Sequence, residues 1–80
     1  MNLEEYAEFI VKSICKEPDM IRVQKFQEED MTILEIMVPE NDMGAVIGKS
    51  GRVANSIRVL LQAYAYLQKS GKIRVNIESF

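Results

Sequence analysis

The residues most able to do chemistry lie in one run, Gly44-Ala45-Val46-Ile47-Gly48-Lys49-Ser50-Gly51. Glycine, three residues, then Gly-Lys-Ser suggests a loop that cradles the phosphates of a nucleotide. Such a loop requires four residues between its glycines, so that backbone N–H groups can wrap the phosphates before lysine and hydroxyl reach their partners. Here there are three, and they fall where the apolar spacing predicts a helix. A nucleotide hydrolase would also need a larger parallel sheet with a carboxylate for magnesium, for which 80 residues leave no room. The overlapping GKSG has a different use. A helix that stops at Gly48, a two-residue turn and a second helix from about Gly51 would turn free N–H groups outward, where an anion such as a phosphodiester is favoured. Glycine at both ends removes β-carbons that would hold a sugar-phosphate chain away, and Lys49 and Arg52 add charge at the same spot.

Other chemistries are restricted by composition. With no histidine and a single cysteine, Cys15, the usual zinc and iron sites and a Ser-His or Cys-His nucleophile pair are not expected, and neither is a cofactor. One cysteine also forms no internal disulfide, which suits a reducing and therefore cytoplasmic compartment. The acidic start MNLEEYAEF does not resemble a signal peptide, and no apolar run approaches membrane-spanning length. The net charge of −2 conceals a division along the chain. From Met1 to Asp42 there are four basic and eleven acidic residues, a balance of −7. From Met43 to Ile77 there are six basic residues and no acidic one, a balance of +6. A local positive field is thereby available on an acidic protein.

The elements that must position the loop follow from periodicity. Leu3, Tyr6, Ala7, Ile10, Val11 and Ile14 have helical spacing, Asn2 and Glu5 are placed for a capping box, and Pro18 marks the end. MIRVQKF and TILEIMV read as an antiparallel hairpin turning at QEED. Asn41 or Asp42 can cap a short helix through Met43, Ala45, Val46 and Ile47. A longer helix follows with Val53, Ile57, Leu60, Leu61 and Tyr64 on one face and Gly71 as its stop. Ile73, Val75 and Ile77 alternate with polar residues in a last strand, expected to return parallel to the second. The expectation is an α+β domain in two layers, α-β-β-α-α-β, with three helices on one face of a three-stranded mixed sheet. It divides into a helix and hairpin over residues 1–38, helix-GxxG-helix over 41–70 and a strand over 72–78.

The run from Val46 to Ile57 resembles the signature of the KH domain, an RNA-binding module whose G-x-x-G loop clamps about four nucleotides of a single strand. With the extra helix and strand ahead of the motif, the chain is similar to the bacterial type II form, and in length to small proteins made of one KH domain. The resemblance implies a non-enzymatic protein that binds single-stranded RNA, as an RNA chaperone or post-transcriptional regulator. It implies that Gly48, Lys49, Ser50 and Gly51 form the clamp, with Arg52 beside it. Val46, Ile47, Val53, Ala54 and Ile57 then form the groove floor or the core beneath it. Arg58 extends the basic track, and Arg74 lines the far wall or is solvated strand surface. Asn55 stands where relatives often carry lysine. A homodimer is implied, as is pairing with a larger KH-containing protein. The alternative is a dimerisation or adaptor module in which RNA contact is secondary. Tyr64, Tyr66 and Leu67 cannot all face one core, so Tyr66 or Leu67 is expected partly exposed. No membrane, metal or small-molecule substrate is expected.

Overall fold

A computed structural model describes residues 1–80. Helix α1 (Leu3–Lys12) opens with the expected capping box: Asn2 Oδ1 accepts the Glu5 N–H at 2.8 Å, and the Asn2 N–H donates to Glu5 Oε1 at 2.9 Å. Two of the helix's orphan donors are satisfied in this way. The helix ends earlier than Pro18 suggests. Ser13 folds its hydroxyl back onto the Phe9 carbonyl, and Pro18 instead opens a 3₁₀ turn over Pro18–Met20. Ile14 therefore lies beyond the helix and is exposed.

Strands β1 (Arg22–Glu28) and β2 (Met31–Val38) pair antiparallel from Arg22↔Met37 to Glu28↔Met31. Only Glu29 and Asp30 remain for the turn. Strand β3 (Lys72–Ser79) pairs parallel with β2, with Leu34 opposite Val75, so β2 is central in the order β1-β2-β3. Alternation along β2 assigns Thr32, Leu34, Ile36 and Val38 to the buried face and Met31, Ile33, Glu35 and Met37 to the other.

Helices α2 (Glu40–Ile47) and α3 (Arg52–Leu67) complete the layer. The core joins Ala7 and Val11 of α1 and Val46 of α2 to Ile57, Leu61 and Ala65 of α3, over Leu34, Ile36, Val38 and Val75 of the sheet. Each fully buried leucine, isoleucine or valine contributes roughly 1.5–3 kcal/mol relative to exposure. The fold is the two-layer α+β arrangement read from the sequence.

Three further local details differ. Neither Asn41 nor Asp42 caps α2: Pro39 is the N-cap residue and has no side chain to cap with. Asp42 turns inward instead, almost wholly buried, and its two carboxylate oxygens accept the backbone N–H groups of Lys16 and Glu17 at 2.8 and 3.1 Å. It thereby ties the loop after α1 to the first turn of α2. Leu60 does not join the core face of α3; it is exposed, as is Val59. Nor does Gly71 stop that helix. Lys69 takes the left-handed conformation at φ 58°, its N–H donating to the Tyr66 carbonyl and that of Ser70 to the Ala65 carbonyl. This is a Schellman closure with lysine where glycine is usual.

Candidate nucleic-acid interface

Helix α2 delivers the loop because its last turn closes on glycine. The Gly48 N–H donates to the Gly44 carbonyl at 2.9 Å, so Gly44 and Gly48 are one helical turn apart and do not bracket a phosphate-wrapping loop. At φ 75° and ψ 179°, Gly48 occupies a region open essentially to glycine alone. A β-carbon there would sit 2.3 Å from Cγ2 of Val53. The backbone thus folds directly onto the first turn of α3. Lys49, Ser50 and Gly51 make a single 3₁₀ turn, closed by the Gly51 N–H on the Gly48 carbonyl at 3.3 Å. Ser50 (φ 58°) and Gly51 (φ 75°) are both left-handed, and no side chain caps α3 at Gly51.

The charged groups of this turn are free. Lys49, Ser50 and Arg52 are exposed, and the two ion pairs of the molecule, Lys12–Glu8 and Lys25–Glu4, involve none of them. Asn55 is exposed one turn further along. Arg58 is partly buried and engaged: its Nε donates to the Val75 carbonyl at 3.2 Å. Strand β3 is bonded only to β2, so Arg58 satisfies an acceptor on its unpaired edge and holds α3 alongside it. Arg74 is not brought to the loop. Opposite Ile33 in the register, it projects from the face of the sheet away from the core. Of the apolar set, Val46, Ala54 and Ile57 are buried in the core, whereas Ile47 and Val53 are only half-buried beside the turn.

Helix α3 shows more apolar surface than expected. Tyr66 and Leu67 are 81% and 76% exposed, so both, rather than one, leave the core. With Val59, Leu60 and Ala63, Leu67 forms an outward stripe at three- and four-residue spacing. The available signal was a helix apolar on nearly every side. Tyr64 turns inward, its ring 4.5 Å from that of Tyr6, and its hydroxyl donates to the Met1 carbonyl.

The fold agrees with comparison to known proteins. The family model described as "KhpA/KhpB, KH domain" matches residues 4–78. The chain belongs to the KhpA/KhpB family of KH domains. Relatives named RNA-binding protein KhpA cover most of it. The Clostridium perfringens protein is 39% identical over 94% of this chain and 99% of its own length. That of Thermotoga maritima is 40% identical over 91% and 97%, and that of Borreliella burgdorferi 44% identical over 76% and 74%. Among solved structures, Aquifex aeolicus Era bound to GDP·AlF4− superposes with a TM-score of 0.70 at 19% identity, covering 98% of this chain and 30% of that one. Era in complex with MgGDPNP and a segment of 16S ribosomal RNA gives 0.69, also at 19% identity, over 96% and 29%. These two structures share the fold, and the family match together with the order α-β-β-α-α-β over a mixed sheet makes it the type II KH fold. Within this KH domain, the G-x-x-G turn joins α2 to α3, and β3 is the strand that packs against both helices.

Proposed function

We propose that this KH domain binds single-stranded RNA by clamping its backbone at Gly48-Lys49-Ser50-Gly51. Lys49 and Arg52 take phosphates, and Ile47 and Val53 meet the first splayed bases. The observation that carries this reading is the turn itself, packed on Val53 at Gly48 and open at Gly51, where an added β-carbon would meet nothing within 4 Å, with two unpaired cations beside it. The name of the relatives, RNA-binding protein, supports the same partner. Phosphate contacts supply affinity without sequence choice, which suits a cytoplasmic RNA chaperone or post-transcriptional regulator.

The double variant Lys49→Asp, Ser50→Asp tests it. Repulsion should abolish binding of single-stranded RNA while leaving the circular-dichroism spectrum and oligomeric state unchanged. Unchanged affinity would sink the clamp. A second reading, an adaptor that pairs with itself or with a larger KH-containing protein, is favoured by the exposed stripe Val59, Leu60, Ala63 and Leu67. A homodimer through that stripe leaves the loop free. If the double variant instead collapses from dimer to monomer, the loop is itself an interface and the adaptor reading gains.

A further inference from the structure

The side of α3 that faces β3 continues past Arg58. Asn55, Arg58, Gln62 and Tyr66 follow one another at three- and four-residue spacing, so they form a single stripe along the unpaired edge of the strand. The far end of the stripe is hollowed. An open cleft of about 370 Å³ lies between Gln62 and Tyr66 of α3 and Met31, Lys72 and Ile73 of the sheet, and a wider one of about 680 Å³ adjoins it between Tyr66, Leu67, Lys69 and Lys72. No acidic residue lines either hollow, and neither lysine is in an ion pair. Tyr66 is 81% exposed, the most exposed of the large apolar side chains. It has no role in the core.

We propose that this hollow is a second contact for the same RNA strand, with a base stacked on Tyr66 and phosphates on Lys69 and Lys72. The inference rests on the clamp reading and extends it. An exposed aromatic ring that shares a hollow with two unpaired cations is the chemistry of a single-strand platform, because every base has a π-face to stack. Position agrees. Fourteen residues of α3 at about 1.5 Å each put Tyr66 about 21 Å along the axis from the loop, a distance that a strand covers only by running several nucleotides past the pair of phosphates held at Lys49 and Arg52. A strand held only by the clamp therefore ends short of the platform, and a longer one reaches it.

The measurement is affinity against length, by fluorescence anisotropy with oligoadenylates of four, six, eight and ten nucleotides. Wild-type protein should gain about tenfold as the strand lengthens past the clamp, the size of one base-aromatic stack. Tyr66→Ala should flatten that gain, Tyr66→Phe should keep it, and Lys69→Glu with Lys72→Glu should remove it. A gain that survives Tyr66→Ala overturns the proposal, as does no gain in the wild type. So does a Tyr66→Ala variant that changes oligomeric state, which would assign the hollow to a second copy of the chain. Failure of the clamp looks different: binding at every length would then ignore Lys49→Asp, Ser50→Asp.

Discussion

Gly48 and Gly51 share a φ of 75° but have different reasons to be glycine. At Gly51 an added β-carbon meets nothing within 4 Å, so alanine there should cost only the left-handed backbone, about 1–2 kcal/mol. Gly48→Ala adds a clash with Val53 and an otherwise forbidden backbone, and should cost more, about 3 kcal/mol or above. Urea denaturation of the two variants compares them directly; equal losses would mean that the turn yields without moving α3. Cys15 gives the second prediction at this scale. Burial, and then the nearby Asp42 carboxylate, raise its thiol pKa above the ordinary value. A raised folded pKa favours the protonated thiol in the native state. Its contribution to stability is therefore complete below the unfolded value, about 8.5, and is lost as pH rises toward the folded one. Thermal melts from neutral to alkaline pH should show a decline that Cys15→Ser reduces. Thiol reagents should label the native protein more slowly than the urea-unfolded one, and equal rates would contradict the burial.

Between residues and fold stands the junction that Asp42 makes. One carboxylate receives two backbone donors from the loop after α1, and removing it leaves both without that acceptor. Asp42→Ala should cost about 1–3 kcal/mol, because bonds to a charged acceptor are strong and the loop's partial exposure lets water replace some of what is lost. Lys69→Gly should act oppositely: relief of left-handed strain outweighs the entropy of glycine by about 0.5–1 kcal/mol, measurable as a higher Tm. These two positions also show where the sequence is legible. The Asn2–Glu5 box, the hairpin, the alternation of Ile73, Val75 and Ile77 and the break at GKSG depend on neighbours within a few residues, and the pattern exposes them. Asp42 meets its partners 25 and 26 residues away, so a local rule mistakes it for a cap. Gly71 is a good helix stop by composition, yet Lys69 closes the helix two residues earlier. Leu60 has the type and spacing of a core residue but faces outward, since Ala54, Ile57, Leu61 and Ala65 already fill the seam over the sheet. Arg74 carries the right charge, and its place on the face of the sheet away from the core emerges only from the register opposite Ile33.

Across the whole molecule, the strand order turns a division along the chain into one across space. The acidic half contributes α1 and the β1 edge, and the basic half supplies α3 and the opposite edge β3, with β2 between them. A net charge of −2 is then compatible with an anionic ligand, because Lys49, Arg52, Lys69 and Lys72 belong to the basic half and none is in an ion pair. The long extent of 33 Å limits any stacked strand to about ten nucleotides. Few phosphates can therefore be neutralised, and salt dependence counts them. A four-nucleotide strand contacting Lys49 and Arg52 should follow a log–log slope of about −1.4, losing about sevenfold in affinity when salt rises fourfold. A ten-nucleotide strand that adds Lys69 and Lys72 should steepen to about −2.8 and lose about fiftyfold over the same range. Anisotropy titrations of both lengths at several salt concentrations give the two slopes. Equal slopes with unequal affinities would mean that Tyr66 stacks without help from the lysines. A long-strand slope well beyond −2.8 would require phosphates on cations outside this edge, for which Arg74, across the sheet, is the nearest supply along β3.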